Sequence, residues 1–157
     1  MSKYLELSAL ACAQTKITFK VKSECENLAH KIVFGYKNYL GVPDEHFSNI
    51  ILNSNLEVTE ILTGMSRPEI TRGKDKFWYF GFKIHFCLDT ESTFLDETIT
   101  IGVSKTDTGF TVKLGDNFRI SENYSDELEP IFSKLYSGGQ EHFSRSITEP
   151  KVKIGFV

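Results

Sequence analysis

His85 and Cys87 are the two residues of this chain best placed by type and spacing to act together. They stand two apart in the alternating run Lys76 to Leu88, so on a strand both side chains leave the same face, which they share with Tyr79. An imidazole beside a thiol can take its proton and leave a nucleophilic thiolate, or the pair can begin a metal site. Neither set is complete in the sequence. Attack on a carbonyl also needs oxyanion donors, and a metal needs further ligands. The expectation is therefore ordinary packing on the second face of that strand. The alternative is a small enzyme or ligand-binding domain with a pocket lined by Tyr79, His85 and Cys87.

Other chemical candidates are weaker. Glu26 and His30 are one helical turn apart, a spacing that lets a carboxylate orient an imidazole, but Lys31 and Lys37 nearby favour an exposed ion pair. His46 and His142 are isolated, and no zinc-protease ligand run exists. Gly73-Lys74 lacks the preceding glycine at phosphate-loop spacing, and Asp75 stands where Ser or Thr would hold magnesium. Arg67, Arg72, Lys74 and Lys76 beside Trp78 and Tyr79 read as a solvated loop rather than a single-strand nucleic-acid site, because Glu69 and Asp75 dilute the charge. No metal and no cofactor are expected.

The carboxylates point elsewhere. Asp89, Glu91, Asp96 and Glu97 fall in nine positions without Lys or Arg, and Glu122, Asp126, Glu127 and Glu129 crowd the start of a later helix. Residues 1–84 hold 11 basic and 9 acidic side chains, and residues 85–157 hold 7 and 12, so the overall charge of −3 is concentrated in the second half. Carboxylates in loops and first helical turns are usually solvated, and they suit the helix dipole. Taken together, the two groups form a candidate surface for a basic partner.

Elements that would position these groups follow from periodicity. Residues 3–13 read as a short helix and Ile17, Phe19 and Val21 as a strand with one wet face. Ser23 and Glu26 make a capping box for a helix that buries Leu28, Ile32, Tyr36 and Tyr39 or Leu40 and ends at Gly41, with Pro43 beyond it. Asp44 caps a second, shorter helix carrying Phe47, Ile50 and Ile51, broken at Asn53-Ser54-Asn55. Leu56 to Thr63 reads as a strand and Gly64 to Asp75 as a polar loop. Lys76 to Leu88 is the clearest strand, with Trp78, Phe80, Phe82, Ile84, Phe86 and Leu88 on one face. Ile99, Ile101 and Val103 pair through the Lys105–Gly109 turn with Phe110, Val112 and Leu114. Phe118 and Ile120 follow another turn. A helix within Asp126 to Tyr136, with Pro130 in its first turn, stops at Gly138-Gly139, and Val152, Ile154 and Phe156 suggest a last strand.

Consecutive strands joined by tight turns imply antiparallel pairing. The expected fold is a single α+β domain over 1–157, a mostly antiparallel sheet of about five to six strands with two to four helices mainly on one face. Its 157 residues, 40% hydrophobic content and 13% aromatic content suit one sheet-dominated core. Three cysteines without paired spacing give no disulfide framework, and Glu6 interrupts an N-terminal apolar stretch too short for a secretory signal. No apolar run is long enough to span a bilayer, so a cytoplasmic location without membrane contact is expected. A mildly acidic chain is a poor general binder of nucleic acid. The expectation is a non-catalytic protein-binding module that meets a basic partner through its acidic half. Immunity proteins, which neutralise bacterial toxins such as nucleases, share this profile of size and charge, and no motif carries a closer resemblance. The sequence leaves the oligomeric state open.

Overall fold

The computed structural model describes residues 2–63, 67–87 and 94–148. Helix α1 (Lys3–Leu40) comes first, then a 3-10 turn (Asp44–His46) and strands β1 (Phe47–Leu52), β2 (Val58–Thr63), β3 (Thr71–Arg72), β4 (Trp78–Cys87), β5 (Phe94–Lys105), β6 (Gly109–Leu114) and β7 (Asp116–Ser121). A second 3-10 turn (Tyr124–Asp126) leads into helix α2 (Glu129–Thr148). The strands form one antiparallel sheet in the order β2-β1-β4-β5-β6-β7, with β3 also paired to β4. The expected α+β architecture holds.

The aromatic run places β4 at the centre. Phe80, Phe82 and Ile84 are essentially inaccessible, and their cross-strand partners Ile101 and Phe47 extend the apolar face on either side. Phe47 stacks on Phe82 with ring centroids 5.3 Å apart. Leu28, Ala29, Ile32, Val33 and Tyr36 of α1 and Ile131 and Phe132 of α2 cover this face. The stripe loses its cover towards its C-terminal end, where Phe86 is 36% exposed; Leu88 lies outside the described residues. Gly35 brings the helices together, since a Cβ there would sit 2.4 Å from the Phe132 ring.

Three local expectations are corrected. The strand expected at residues 17–22, and with it the Ser23 capping box, is replaced by one 38-residue helix. Ser2 supplies the N-cap, accepting from the Leu5 amide at 3.2 Å, and Gly41 closes the helix at φ +73° as expected. The period-two alternation was overridden because a helical stripe, Leu7, Leu10, Ile17, Val21 and Leu28, runs through the same residues. The short helix expected after Asp44 is only a 3-10 turn followed by β1, because Phe47–Leu52 has apolar side chains for both sheet faces: Phe47 faces the helices, while Ile50 and Leu52 join Tyr79 on the other side. Helix α2 passes through Gly138-Gly139 instead of stopping there. Each interior glycine costs a helix about 1 kcal/mol, which packing of Leu135 against the core and of Phe143 edge-on to Phe86 offsets. Pro130 does occupy the first turn. The strand expected at 152–156 lies outside the described residues. Among the described residues no helix is long and apolar enough to cross a membrane.

Candidate functional site

The second face of β4 carries Tyr79, His85 and Cys87, as the alternation requires, but they do not share one site. At one end, His85 Nδ1 donates to Asp96 Oδ1 at 2.6 Å, its direct cross-strand neighbour on β5. That bond, reinforced by Lys83 at 3.7 Å, holds the Asp96 carboxyl below the usual carboxylate range. His46, delivered by the first 3-10 turn, meets His85 edge-on at 5.3 Å and places Nε2 3.9 Å from Cys87 Sγ. At the other end, about 20 Å along the strand at 3.3 Å per residue, the Tyr79 hydroxyl donates to Asp75 at 2.5 Å. Lys113 Nζ lies 3.1 Å from the same carboxylate and 3.3 Å from the phenol. The hydrogen bond from Tyr79 draws Asp75 below its ordinary value, while burial and then Asp75 push the Tyr79 phenol up. Tyr79 lines a cleft of about 370 Å³ with Asn55, Gly73, Lys74, Asp75 and Lys113, and neither His85 nor Cys87 reaches it.

The Asp96 pair has a pH signature. A carboxyl whose folded pKa is depressed stabilises the fold above its unfolded pKa, and that stability is lost as pH falls through the folded value. Asp96→Asn is therefore expected to lower the urea midpoint at pH 7 by a small amount, as befits a group more than a third exposed. The difference from the parent protein should vanish in acid, where the parent's Asp96 is protonated in the folded and the unfolded state alike. Equal midpoint shifts at neutral and acid pH would show that the carboxylate charge contributes nothing.

The eight acidic candidates divide among several places. Asp89 and Glu91 lie outside the described residues. Asp96 and Glu97 are adjacent on β5 and so project to opposite faces: Asp96 meets His85 on the open face, whereas Glu97 lies 3.8 Å from His142 of α2 on the helical face. Glu122 is bound to Lys105 at 2.9 Å, and that ammonium, 3.5 Å from Glu24 as well, keeps the Glu122 carboxyl below its ordinary value. Glu127 turns inward to the end of β7, accepting from the Ser121 amide at 3.1 Å and from the Ser121 hydroxyl. Asp126 and Glu129 are exposed, and neither has an ion pair among the described residues.

These last two carboxylates line the rim of an open groove of about 990 Å³ between α1 and the segment that runs from the second 3-10 turn into α2. Phe34 and Tyr39 form its α1 wall, Tyr124 stands opposite, and the buried Leu128 and Phe132 close its floor. The apolar floor with charge at the rim is the arrangement found where one protein surface receives another. His30 stacks on Phe34 at 4.4 Å. Burial, followed by Arg67 and Lys31, lowers its pKa and favours neutral imidazole. Its buried Nδ1 has no hydrogen-bond partner among the described residues.

The two rim carboxylates are marked in the sequence by their charge, whereas the aromatic wall has no local signature. Tyr39 is spaced as a core residue of α1 yet is 43% exposed, its ring lying against Phe132 and Tyr136 of α2 instead of the sheet. The Tyr124 ring was concealed in a segment without periodicity; it packs edge-on against Phe110 at 5.6 Å. Among the described residues no group of three or more His, Cys, Asp or Glu side chains is arranged to hold a metal ion. Comparison of the chain with protein-family models, with curated proteins and with solved structures found no match in any of the three.

Proposed function

We propose that this chain is a non-catalytic protein-binding module that receives a basic partner in the groove between α1 and α2. The observation that carries the proposal is the placement of two exposed carboxylates that have no ion pair among the described residues, Asp126 and Glu129, beside the aromatic side chains of a groove whose α1 wall also carries Lys31. Unpaired carboxylates at a rim steer a cationic partner, and aromatic side chains beside them supply most of the binding area. The role that fits this surface together with the chain's size and net charge of −3 is a cytosolic inhibitor or immunity protein that neutralises a basic toxin, for example a nuclease.

The test begins with affinity capture from the native host and identification of the captured protein, followed by association kinetics with purified components. Asp126→Lys combined with Glu129→Lys is expected to slow association roughly tenfold or more at low salt and to flatten its dependence on ionic strength. Both side chains are exposed, and reversing Glu129 in the first turn of α2 costs about 1 kcal/mol or less of helix-dipole stabilisation, so the variant should remain folded. An association rate and salt slope unchanged in that variant would remove the groove from the interface.

A further inference from the structure

Among the described residues, none buries the first five turns of α1. Buried residues of the helix begin at Cys25, and from Lys3 to Lys20 every side chain except the half-buried Ser8 is exposed. That stretch is about 27 Å long at 1.5 Å per residue. Tyr4, Leu7, Leu10, Ile17 and Phe19 are each about two-thirds exposed or more. Isolated helices of this length are marginal in water, and Thr15 to Val21 is rich in β-branched residues that disfavour helix.

The apolar side chains are ordered. Leu7, Leu10, Gln14, Ile17 and Val21 are spaced alternately three and four apart, the seam of a two-stranded coiled coil. The same stripe continues into the core at Leu28, so the arm prolongs the face that α1 buries against its own sheet. We propose that a second copy of this chain covers the arm, the two arms pairing antiparallel with Leu7 of one against Ile17 of the other and Leu10 against Gln14. Charge selects that direction. The arm has Glu6 near its start and Lys16 and Lys20 near its end. Antiparallel pairing brings Glu6 beside Lys20 of the other copy twice, whereas parallel pairing sets lysines against lysines. Glu6 has no ion pair among the described residues, and Lys20 makes a loose 4.0 Å contact with Glu24 and a weaker attraction to Glu122. Antiparallel arms also hold the two sheet bodies at opposite ends, where they do not collide. The two-helix seam is small beside a standard protein interface, so the dimer dissociates on dilution.

Sedimentation equilibrium of the full chain tests this. The parent protein is expected to sediment as a reversible dimer, and Leu10→Glu combined with Ile17→Glu as a monomer at every concentration. Trp78, which packs against the core, reports by its fluorescence that the body of that variant is still folded. Glu6→Lys alone and Lys20→Glu alone should each raise the dissociation constant roughly tenfold, and the two together should return it to within a few-fold of the parent value. A monomeric parent protein, or a dimer that survives Leu10→Glu with Ile17→Glu, would overturn the proposal. So would a monomer that instead sediments with vesicles of phosphatidylcholine and phosphatidylserine through Leu10 and Ile17. Failure of the double charge swap to restore association would exclude the antiparallel direction.

Discussion

Phe82→Ala is expected to lower the free energy of unfolding by about 3–5 kcal/mol. Phe82 is fully buried at the middle of the central strand, stacked on Phe47 at 5.3 Å and tilted against Tyr36 of α1 at 6.0 Å. Truncation loses the transfer free energy of the ring and leaves a cavity between two rigid layers, helix above and sheet below. Neither layer can collapse into the space without breaking strand pairing. The loss is a large share of the roughly 5–15 kcal/mol that holds a domain of this size together. Urea unfolding followed by Trp78 fluorescence measures it. Phe86→Ala, four residues along the same stripe but 36% exposed, should cost under about 2 kcal/mol. Equal losses at the two positions would mean that the core is not centred on the β4 face covered by α1.

Gly109→Ala should rival that loss through backbone rather than side-chain packing. Gly109 opens β6 directly opposite Ser121 of β7. A Cβ there would lie 1.9 Å from the Ile120 carbonyl oxygen and 2.8 Å from the Ser121 Cα. Both obstacles belong to the main chain, so no rotamer change relieves them, and the β6–β7 ladder must spread. A cost upwards of about 3 kcal/mol is expected, beyond the usual range for overpacking a side chain. Gly138→Ala is the matched control. It lies inside α2 with nothing within 4 Å of its would-be Cβ, so alanine there should stabilise by roughly 0.5–1 kcal/mol. The two alanines should therefore move the urea midpoint in opposite directions, and a Gly109→Ala variant as stable as the parent would show that β7 is not held in this register.

The candidate groove illustrates how charge and shape are written differently in a chain. Asp126 and Glu129 could be picked out from the sequence because each carries a charge, whatever surrounds it. Asp96 and Glu122 looked equivalent to them and are not, since the first is hydrogen-bonded by His85 and paired with Lys83 and the second is paired with Lys105. Those partners come from other strands of the sheet, β4 for Asp96 and β5 for Glu122, at sequence distances of 11 to 17 residues, which composition does not reveal. The aromatic wall depends on how the end of α1 meets α2, which no local pattern encodes.

By itself the sequence determined the antiparallel α+β class, the β4 stripe at its centre, the Gly41 stop and the hairpins around residues 105–120. These follow from interactions between near neighbours: side-chain alternation, glycine conformational freedom and turn chemistry. Tertiary structure decided what local rules left balanced. The segment Ile17–Val21 has a strand's alternation and a helix's stripe, and continuity with the packed part of α1 makes it helix. Phe47–Leu52 has a helix's cap before it, and pairing with β2 and β4 on both sides makes it strand. Two glycines do not stop α2 when Phe143 beyond them packs edge-on against Phe86 of β4. In each case the energy of packing against distant residues exceeded a local preference of about 1 kcal/mol or less per residue.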